Sequence, residues 1–495
     1  MDIIFVRFNL PDKEQECIDS VKKYTDLSKH TFTIYDNYPK KENLAVVWNR
    51  LIAESKHENI CLLNNDTVVE EGWTRLEESL EDKKVGAVGP VTNNCGTHQK
   101  NMEREEKIAA INDLSGFCYC FRKEVWQEVG GFPEDMPFYG QESVFNRKLQ
   151  DHGYELNVDR RVYIHHYKGQ SFKKAKKRKE IDEREAEYAK MHYYNFVRRL
   201  KTLREKIPQG TKIAILGGGK GNPFPLHRGL EQAVSDFFGS DGLLLGANSD
   251  FRELKKFKPD IFLSTQTSGY TNAQKLLCKY ASRQGCKMIL YFCDLRYPSM
   301  GVIPGLELFE EAFICNGRLK EWEKEYKLKA HYLPQGSIQH PRPVDGEKHD
   351  VLFIGSIGDN IFHNGRKSVC KELNAIVKNC NKATSRDKRI EIQNNSYGDY
   401  HSSKFSLAMS IDEEGYTSDR LYTIMGAGGC ALSFNPGKIP FEHGRHLLWW
   451  RNAEEAKMLL KTSVRQINEI KEEAFIEVQT NHTYKDRLIE ILCVI

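Results

Sequence analysis

Residues Ile60-Cys61-Leu62-Leu63-Asn64-Asn65-Asp66-Thr67 form an apolar run of strand length that breaks into two amides and a carboxylate before a helical pattern begins at Glu70. Upstream, Ile3–Phe8 (IIFVRF) and Thr31–Asp36 (TFTIYD) read as strands, with helices over Cys17–Tyr24 and Ala45–Ser55 between them. Short strands separated by helices of this length favour parallel crossovers in one α/β sheet. In an open sheet of that kind ligands meet the carboxyl ends of the strands, which is where Asp66 falls. The stretch points to a nucleotide or metal site.

Downstream, Lys173–Lys179 (KKAKKRK) holds six basic residues in seven and leads through a charged helical run into the aromatic cluster His192–Leu200. It reads as a solvated helix closing a first domain, with a phosphate or nucleic-acid patch as the alternative. Pro208-Gln209-Gly210 punctuates the chain, and a new α/β unit opens at Lys212 with KIAILGGGKGNPFP. That run lacks both the GxGxxG spacing and GK[ST], so it is neither a dinucleotide fingerprint nor a P-loop. Strands are expected at Asp260–Thr265, Lys287–Phe292 and His331–Gly336, before the chain thins into Pro341, Pro343 and Gly346. A third unit opens with DVLFIGSIGDN (Asp350–Asn360) and continues with a helix over Arg366–Val377. A strand at FSLAMSID, a helix at SDRLYTIMGA, a strand at GCALSF and a helical tail over Val464–Leu492 follow. The expected domains are 1–205, 211–345 and 346–495.

A chain of 495 residues exceeds one ordinary core, and 40% hydrophobic with 29% charged residues is the composition of folded protein. A net charge of +4 does not by itself single out nucleic acid, but it suits anionic substrates such as sugar nucleotides. The 13 cysteines are scattered without a CxxC pair; Cys118 and Cys120 read as strand packing before zinc. Such usage suits a reducing cytosol. No signal-like N-terminus and no run near ~18 apolar residues is present, so a cytoplasmic protein without a membrane span is expected.

Over some 170 residues the chain resembles glycosyltransferase family 2, which has the GT-A fold. The resemblance is carried by FVRFN (Phe5–Asn9), ECIDSVKKY (Glu16–Tyr24), IYDN (Ile34–Asn37), NLAVVWNRLIAES (Asn43–Ser55), NNDTVVEEGW (Asn64–Trp73), Leu114–Tyr154 and IHHYKGQSF (Ile164–Phe172), in that order. Sugar transfer from a nucleoside diphosphate needs the departing diphosphate stabilised and a proton taken from the acceptor hydroxyl. The resemblance implies that Asp66 holds Mn²⁺ or Mg²⁺, hard cations that favour carboxylate oxygen. Asn64 stands where family members often carry the first acid of a DxD pair. Glu142, preceded by Gln141, matches the catalytic base; its plain alternative is a carboxylate favoured by a helix N-terminus. Asp36 matches the contact to the nucleotide base, or else forms a turn. Asn49 and Asn65 fall on the donor side. His165 and His166 match a place that sometimes supplies a metal or phosphate contact, and neighbouring strand residues point to opposite faces, so at most one reaches the site. Trp73, Trp126 and Phe138 read as packing.

Residues 211–495 resemble GT-B glycosyltransferases of the CgeB-like (spore-coat glycosyltransferase-like) group, through DVLFIGSIGDN, Phe405–Phe434, Phe441–Leu460 and NHTYKDRLIEIL (Asn481–Leu492). The resemblance implies a two-lobed doubly wound domain that stabilises diphosphate without metal, by helix N-termini and basic side chains. Gly355 and Gly358 fit close backbone approach, and Arg366, Lys367 and Arg420 are the phosphate candidates. His227 and Asp294 are the candidate bases. Related enzymes often place an acid for the donor ribose near Tyr422 or Thr423, and none stands there here. The reading is a bifunctional glycosyltransferase, inverting in its first module, that takes sugar nucleotides and glycosylates a glycan, protein or nucleic-acid acceptor. The alternatives are a second module that only holds the acceptor, and modified DNA as the acceptor.

Overall fold

The computed structural model describes residues 1–8, 11–137, 139–167, 176–217, 225–246, 248–266, 270–292, 305–357, 365–378, 386–409, 416–434 and 439–495. The chain divides into two units, Met1–Arg198 and Arg199–Ile495.

In the first unit the strands are β1 (Asp2–Arg7), β2 (Thr31–Asp36), β3 (Asn59–Leu63), β4 (Thr67–Val68), β5 (Val85–Val91), β6 (Ile108–Ile111), β7 (Cys118–Arg122), β8 (Glu155–Tyr163) and β9 (His165–His166). β1 lies between β2 and β3 in parallel, with Phe5 in register with Ile34 and Leu63. The sheet runs β2-β1-β3-β7-β5-β8-β6, with β7 antiparallel to both its neighbours and β6 an antiparallel edge. Alternation along β1 sends Ile3 and Phe5 to one apolar layer, with Trp73 and Phe117, and Ile4 to the other, with Trp48, Phe132 and Phe145. The helix expected from Glu70 begins only at Trp73, after the short strand β4, and is a 3₁₀ helix, Trp73–Leu80. Trp73 is fully buried there and donates its indole N–H to Thr25 Oγ1 at 3.0 Å, which is packing.

The second unit holds two wholly parallel sheets. The first comprises β10 (Ile213–Leu216), β11 (Gly242–Leu245), β12 (Ile261–Gln266), β13 (Lys287–Phe292), β14 (Glu311–Ile314) and β15 (Lys329–Tyr332), in the order β11-β10-β12-β13-β14-β15. The second comprises β16 (Val351–Ile354), β17 (Ile376–Lys378), β18 (Phe405–Leu407), β19 (Ala431–Phe434) and β20 (Leu448–Trp450), in the order β17-β16-β18-β19-β20. In each sheet the first strand sits between the second and third. The winding therefore reverses beside it and opens a crevice at the carboxyl ends of β10 and β12, and of β16 and β18.

Two expectations shift. The helix from Arg366 stops at Glu372, Asn374 turns left-handed (φ 50°), and the β-branched pair that follows joins the sheet as β17. The strand expected at His331–Gly336 starts at Lys329 and ends at Tyr332, before Pro334, which has no N–H for the ladder.

The helical tail is two helices, Val464–Asn481 and Tyr484–Val494, the second begun by a Thr483–Asp486 capping box. This last helix packs on the helix Pro225–Phe238: a Cβ on Gly229 would lie 2.5 Å from the Tyr484 ring. Beside it, Arg199 is buried in a fork with Asp486 (2.8 and 2.7 Å) and also donates to Gln339 and the Gln479 carbonyl. Burial alone would raise the Asp486 pKa, but the Arg199 guanidinium and the Thr483 hydrogen bonds together outweigh it and hold the carboxyl below its usual range. A depressed carboxyl stabilises the fold above its unfolded pKa, and that contribution is lost as acidification passes the folded pKa. Arg199→Ala leaves the buried Asp486 carboxylate without its guanidinium, and is expected to cost about 3–5 kcal/mol in urea unfolding at pH 7. The deficit should shrink below pH 4. Among the described residues no helix is long and apolar enough to cross a membrane.

Candidate functional site

After β3 the chain turns sharply. Asn64 donates its N–H to the Phe117 carbonyl (2.8 Å), and Thr67 Oγ1 donates back to the Asn64 carbonyl (2.8 Å). The turn buries Asp66 and starts β4, which pairs with β9 so that Thr67 faces His166. Tyr167 N–H donates to the Asp66 carbonyl (2.9 Å) and closes the ribbon. The result brings Asp66 Oδ1 to 3.2 Å from His166 Nε2, although the two residues are 100 positions apart.

The other ring nitrogen decides what this pair can do. His166 Nδ1 lies 2.7 Å from the Asn94 carbonyl, which can only accept, so Nδ1 carries a hydrogen. A neutral ring then turns its Nε2 lone pair toward a carboxylate that is also an acceptor. A positive charge between them, proton or metal, satisfies both. Adjacent ligands of an octahedral cation at ~2.1 Å stand about 3.0 Å apart, close to the spacing seen. An imidazole that ligates through one nitrogen while the other donates to a backbone carbonyl is the usual arrangement at metal sites. Asn93 fixes the His166 backbone on both sides, accepting its N–H (2.8 Å) and donating to its carbonyl (3.3 Å). Phe117 stacks on the ring at 5.0 Å. The donor set fits a hard divalent cation with positions left for phosphate oxygens. His165 points elsewhere, edge-on to the Tyr167 ring at 4.6 Å, and is not brought to Asp66.

Glu142 stands in the first turn of the helix Gln141–Asp151, behind Gly140 in the left-handed conformation (φ 89°). It lies against Gly116, where a Cβ would be 3.3 Å from Glu142 Cγ, and the next residue is Phe117. Burial, with the Asp113 charge adding to it, raises the Glu142 pKa above its ordinary 4.5. Asp113 is itself raised by burial and accepts from Asn146, which in turn accepts from Tyr119.

The remaining donor-side residues separate. Asn65 donates to Glu14 (3.1 Å), a buried acid that also accepts from Arg7 Nε (3.1 Å) and Phe8 N–H (2.7 Å). Asp36 is exposed at the end of β2 and accepts from Tyr38 N–H (3.1 Å), the turn alternative of the sequence. Asn49 has its amide fully engaged within the protein. Its amide donates to the Phe132 carbonyl and Glu134 and accepts from Trp126 Nε1 and Phe132 N–H, which uses all four positions. It anchors the loop before Glu142, and Trp126 is packing there.

In the second unit Arg420 and Arg366 meet at the β16–β18 crevice. Arg420 donates to the Ile354 carbonyl (2.9 Å), and both guanidiniums reach the Met409 carbonyl (3.4 and 3.2 Å). Both lie over the Phe353 ring, at 5.0 and 6.0 Å. Among the described residues neither has a carboxylate partner within ion-pair distance. Burial, and then the neighbouring Arg420 charge, pushes the Arg366 pKa down to about 10. A Cβ on Gly355 (φ 156°) would come 2.6 Å from Arg420 Nη2, so a side chain there would displace the guanidinium. Lys367 is exposed and turned to solvent. His227 sits at the other crevice, with Nδ1 3.1 Å from Thr265 Oγ1, whose hydroxyl donates to the Leu216 carbonyl. Burial lowers its pKa to about 4, so the ring is neutral at pH 7. Asp294, Gly358, Phe138 and the side chains of Lys173–Lys179 lie outside the described residues.

No family model matches the chain, and no curated protein matches it. Among solved structures the chain is similar to GalNAc-T7 with UDP, GalNAc and Mn²⁺, at 11% identity over 33% of this chain and 43% of that one, with a TM-score of 0.28. It is similar to the mannosyltransferase PcManGT from Pyrobaculum calidifontis in complex with GDP-Man and Mn²⁺, at 16% identity over 41% of this chain and 64% of that one (TM-score 0.32). It is also similar to S. aureus TarS, at 13% identity over 33% of this chain and 36% of that one (TM-score 0.27). The chain spans less than two thirds of the length of each of these structures.

Proposed function

We propose that the first unit transfers a sugar from a nucleotide-sugar donor to an acceptor hydroxyl, in a GT-A-like site that uses Mn²⁺ or Mg²⁺. The observation that carries this is the Asp66–His166 pair, with Nδ1 of the imidazole committed to the Asn94 carbonyl and Nε2 turned to the carboxylate. A cation held there supplies neutralisation of the departing diphosphate. Glu142 takes the acceptor proton as the acceptor oxygen bonds to the anomeric carbon and the bond to the diphosphate oxygen breaks. A carboxyl with raised proton affinity suits that step. Configuration inverts, as the family-2 resemblance implies.

The second unit is read as a GT-B-like module with its own diphosphate site. Two half-buried guanidiniums, crowded on one carbonyl at a strand switch point and with no carboxylate within ion-pair distance among the described residues, call for an anion. The neutral His227 is the basic group at the other crevice.

The test is a hydrolysis and binding screen of the full chain against a panel of sugar nucleotides, with Mn²⁺ or with chelator, beside Arg420→Ala. The expected outcome is two donor activities. Chelation removes one; Arg420→Ala weakens binding for the other by about 10- to 100-fold, the size of a charged hydrogen bond. A single activity that needs metal and ignores Arg420→Ala makes the second unit an acceptor-holding module. No turnover with any donor overturns the proposal.

A further inference from the structure

Below the Asp66 turn, three thiols converge. Cys61 lies in β3, and Cys118 and Cys120 lie two apart in β7, so both project to the same face. The antiparallel register sets Cys61 opposite Cys120 and Leu63 opposite Cys118. All three side chains enter one apolar layer and are fully buried. Their sulfurs lie within 4.8 Å of one another, with Cys61 and Cys118 at 3.8 Å.

Three sulfurs around a central ion at ~2.3 Å stand about 4.0 Å apart when the ion lies in their plane. The trio needs shifts of under 1 Å to reach that arrangement, by those same distances. Among the described residues no fourth His, Cys or carboxylate joins the group. That disfavours iron–sulfur clusters and closed structural zinc sites, which take four protein ligands, and full burial leaves no opening for the water that completes a three-ligand zinc site. Soft thiolates also select copper(I) over hard divalent ions. We propose that Cys61, Cys118 and Cys120 form a three-coordinate thiolate site for one copper(I) ion, clamping β3 to β7 beneath the Asp66 turn.

Hydrogen bonds from its two neighbours favour loss of the Cys61 proton, whereas burial holds the Cys118 thiol well above its usual range. Each thiol that becomes a ligand releases its proton to solvent, and no electron moves. Entry requires the β3–β7 pair to open, so loading is slow in the folded protein. The site does not depend on sugar transfer in the first unit, and its test does not read activity.

Reduced full-length protein is mixed, without oxygen, with copper(I) held by bathocuproine disulfonate, whose absorbance reports metal withdrawn by the protein. One copper per chain is expected, with X-ray absorption showing three sulfurs at ~2.3 Å. Cys61→Ser and Cys118→Ser should each weaken retention by more than about 10-fold, and Cys278→Ala, in a separate core, should leave it unchanged. Failure of the folded, fully reduced chain to withdraw copper overturns the proposal. So does undiminished retention in both serine variants, or a spectrum with nitrogen or oxygen ligands. If the serine variants do not fold, the wild-type spectrum alone decides.

Discussion

Asp66→Ala is expected to lower the metal-dependent kcat/KM by about 10³-fold or more, because the cation it holds supplies several kcal/mol of charge stabilisation as the diphosphate leaves. His166→Phe is the sharper companion. It preserves a flat ring to stack on Phe117, 5.0 Å away in the native site, but removes both nitrogens. Mn²⁺ affinity, read by electron paramagnetic resonance of the free ion, should fall at least by the ~10- to 100-fold typical of losing even an outer-shell partner. His165→Phe should leave it unchanged, since that ring packs on Tyr167. Equal losses from both histidine variants, or Mn²⁺ binding that survives His166→Phe intact, would mean that the Asp66–His166 contact is only an internal ion pair.

Glu142→Gln carries the second large effect, and two readouts should move in opposite directions. Loss of the base should reduce kcat by about 10²- to 10⁴-fold with little change in donor binding. Stability should rise. A carboxyl whose pKa is raised in the fold favours the folded state when protonated and penalises it once pH exceeds the folded pKa, so a neutral amide removes a penalty at pH 7. Thermal melts at pH 7 should show a higher Tm for the variant, with the gap closing toward pH 4. For the wild type, the acidic limb of the pH–rate profile should lie above the ordinary carboxyl value of 4.5. A Tm that falls would show Glu142 to be a structural carboxylate.

How far the sequence revealed this arrangement depended on whether a feature was local. Ile3–Phe8, Thr31–Asp36 and Ile60–Leu63 are apolar or β-branched runs bounded by turn residues, and they appear as β1, β2 and β3 in parallel. The placement of Asp66 at a strand end needed only that reading. The choice between His165 and His166 could be posed from alternation but not decided. It turns on the register of a two-residue ribbon whose strands are about 100 positions apart. Asn94 left no signal, because its role is played by a backbone carbonyl that any residue offers. Glu14 was hidden by company: in a helix rich in acids and lysines, nothing local marks the one carboxylate that is buried to hold Arg7, Phe8 and Asn65. Asn49, placed on the donor side by the family-2 resemblance, has its amide spent on the loop from Trp126 to Glu134, a tertiary contact that nothing local in the sequence marks. In the third sheet, helix propensity carried the expected helix past Glu372, and the left-handed Asn374 ended it.

The contact between Gly229 and Tyr484 has a consequence for how the protein is made. The helix that ends at Phe238 waits for a partner that begins at Tyr484, 246 residues later by subtraction of those numbers. At a ribosomal pace of about 5–20 residues per second, its apolar flank stays uncovered for roughly 12 to 50 seconds. The strands β10 to β15 can pair during that interval, but their outer layer closes only from downstream. A nascent chain stalled between the two helices would expose that flank to chaperones and to its neighbours on the same message.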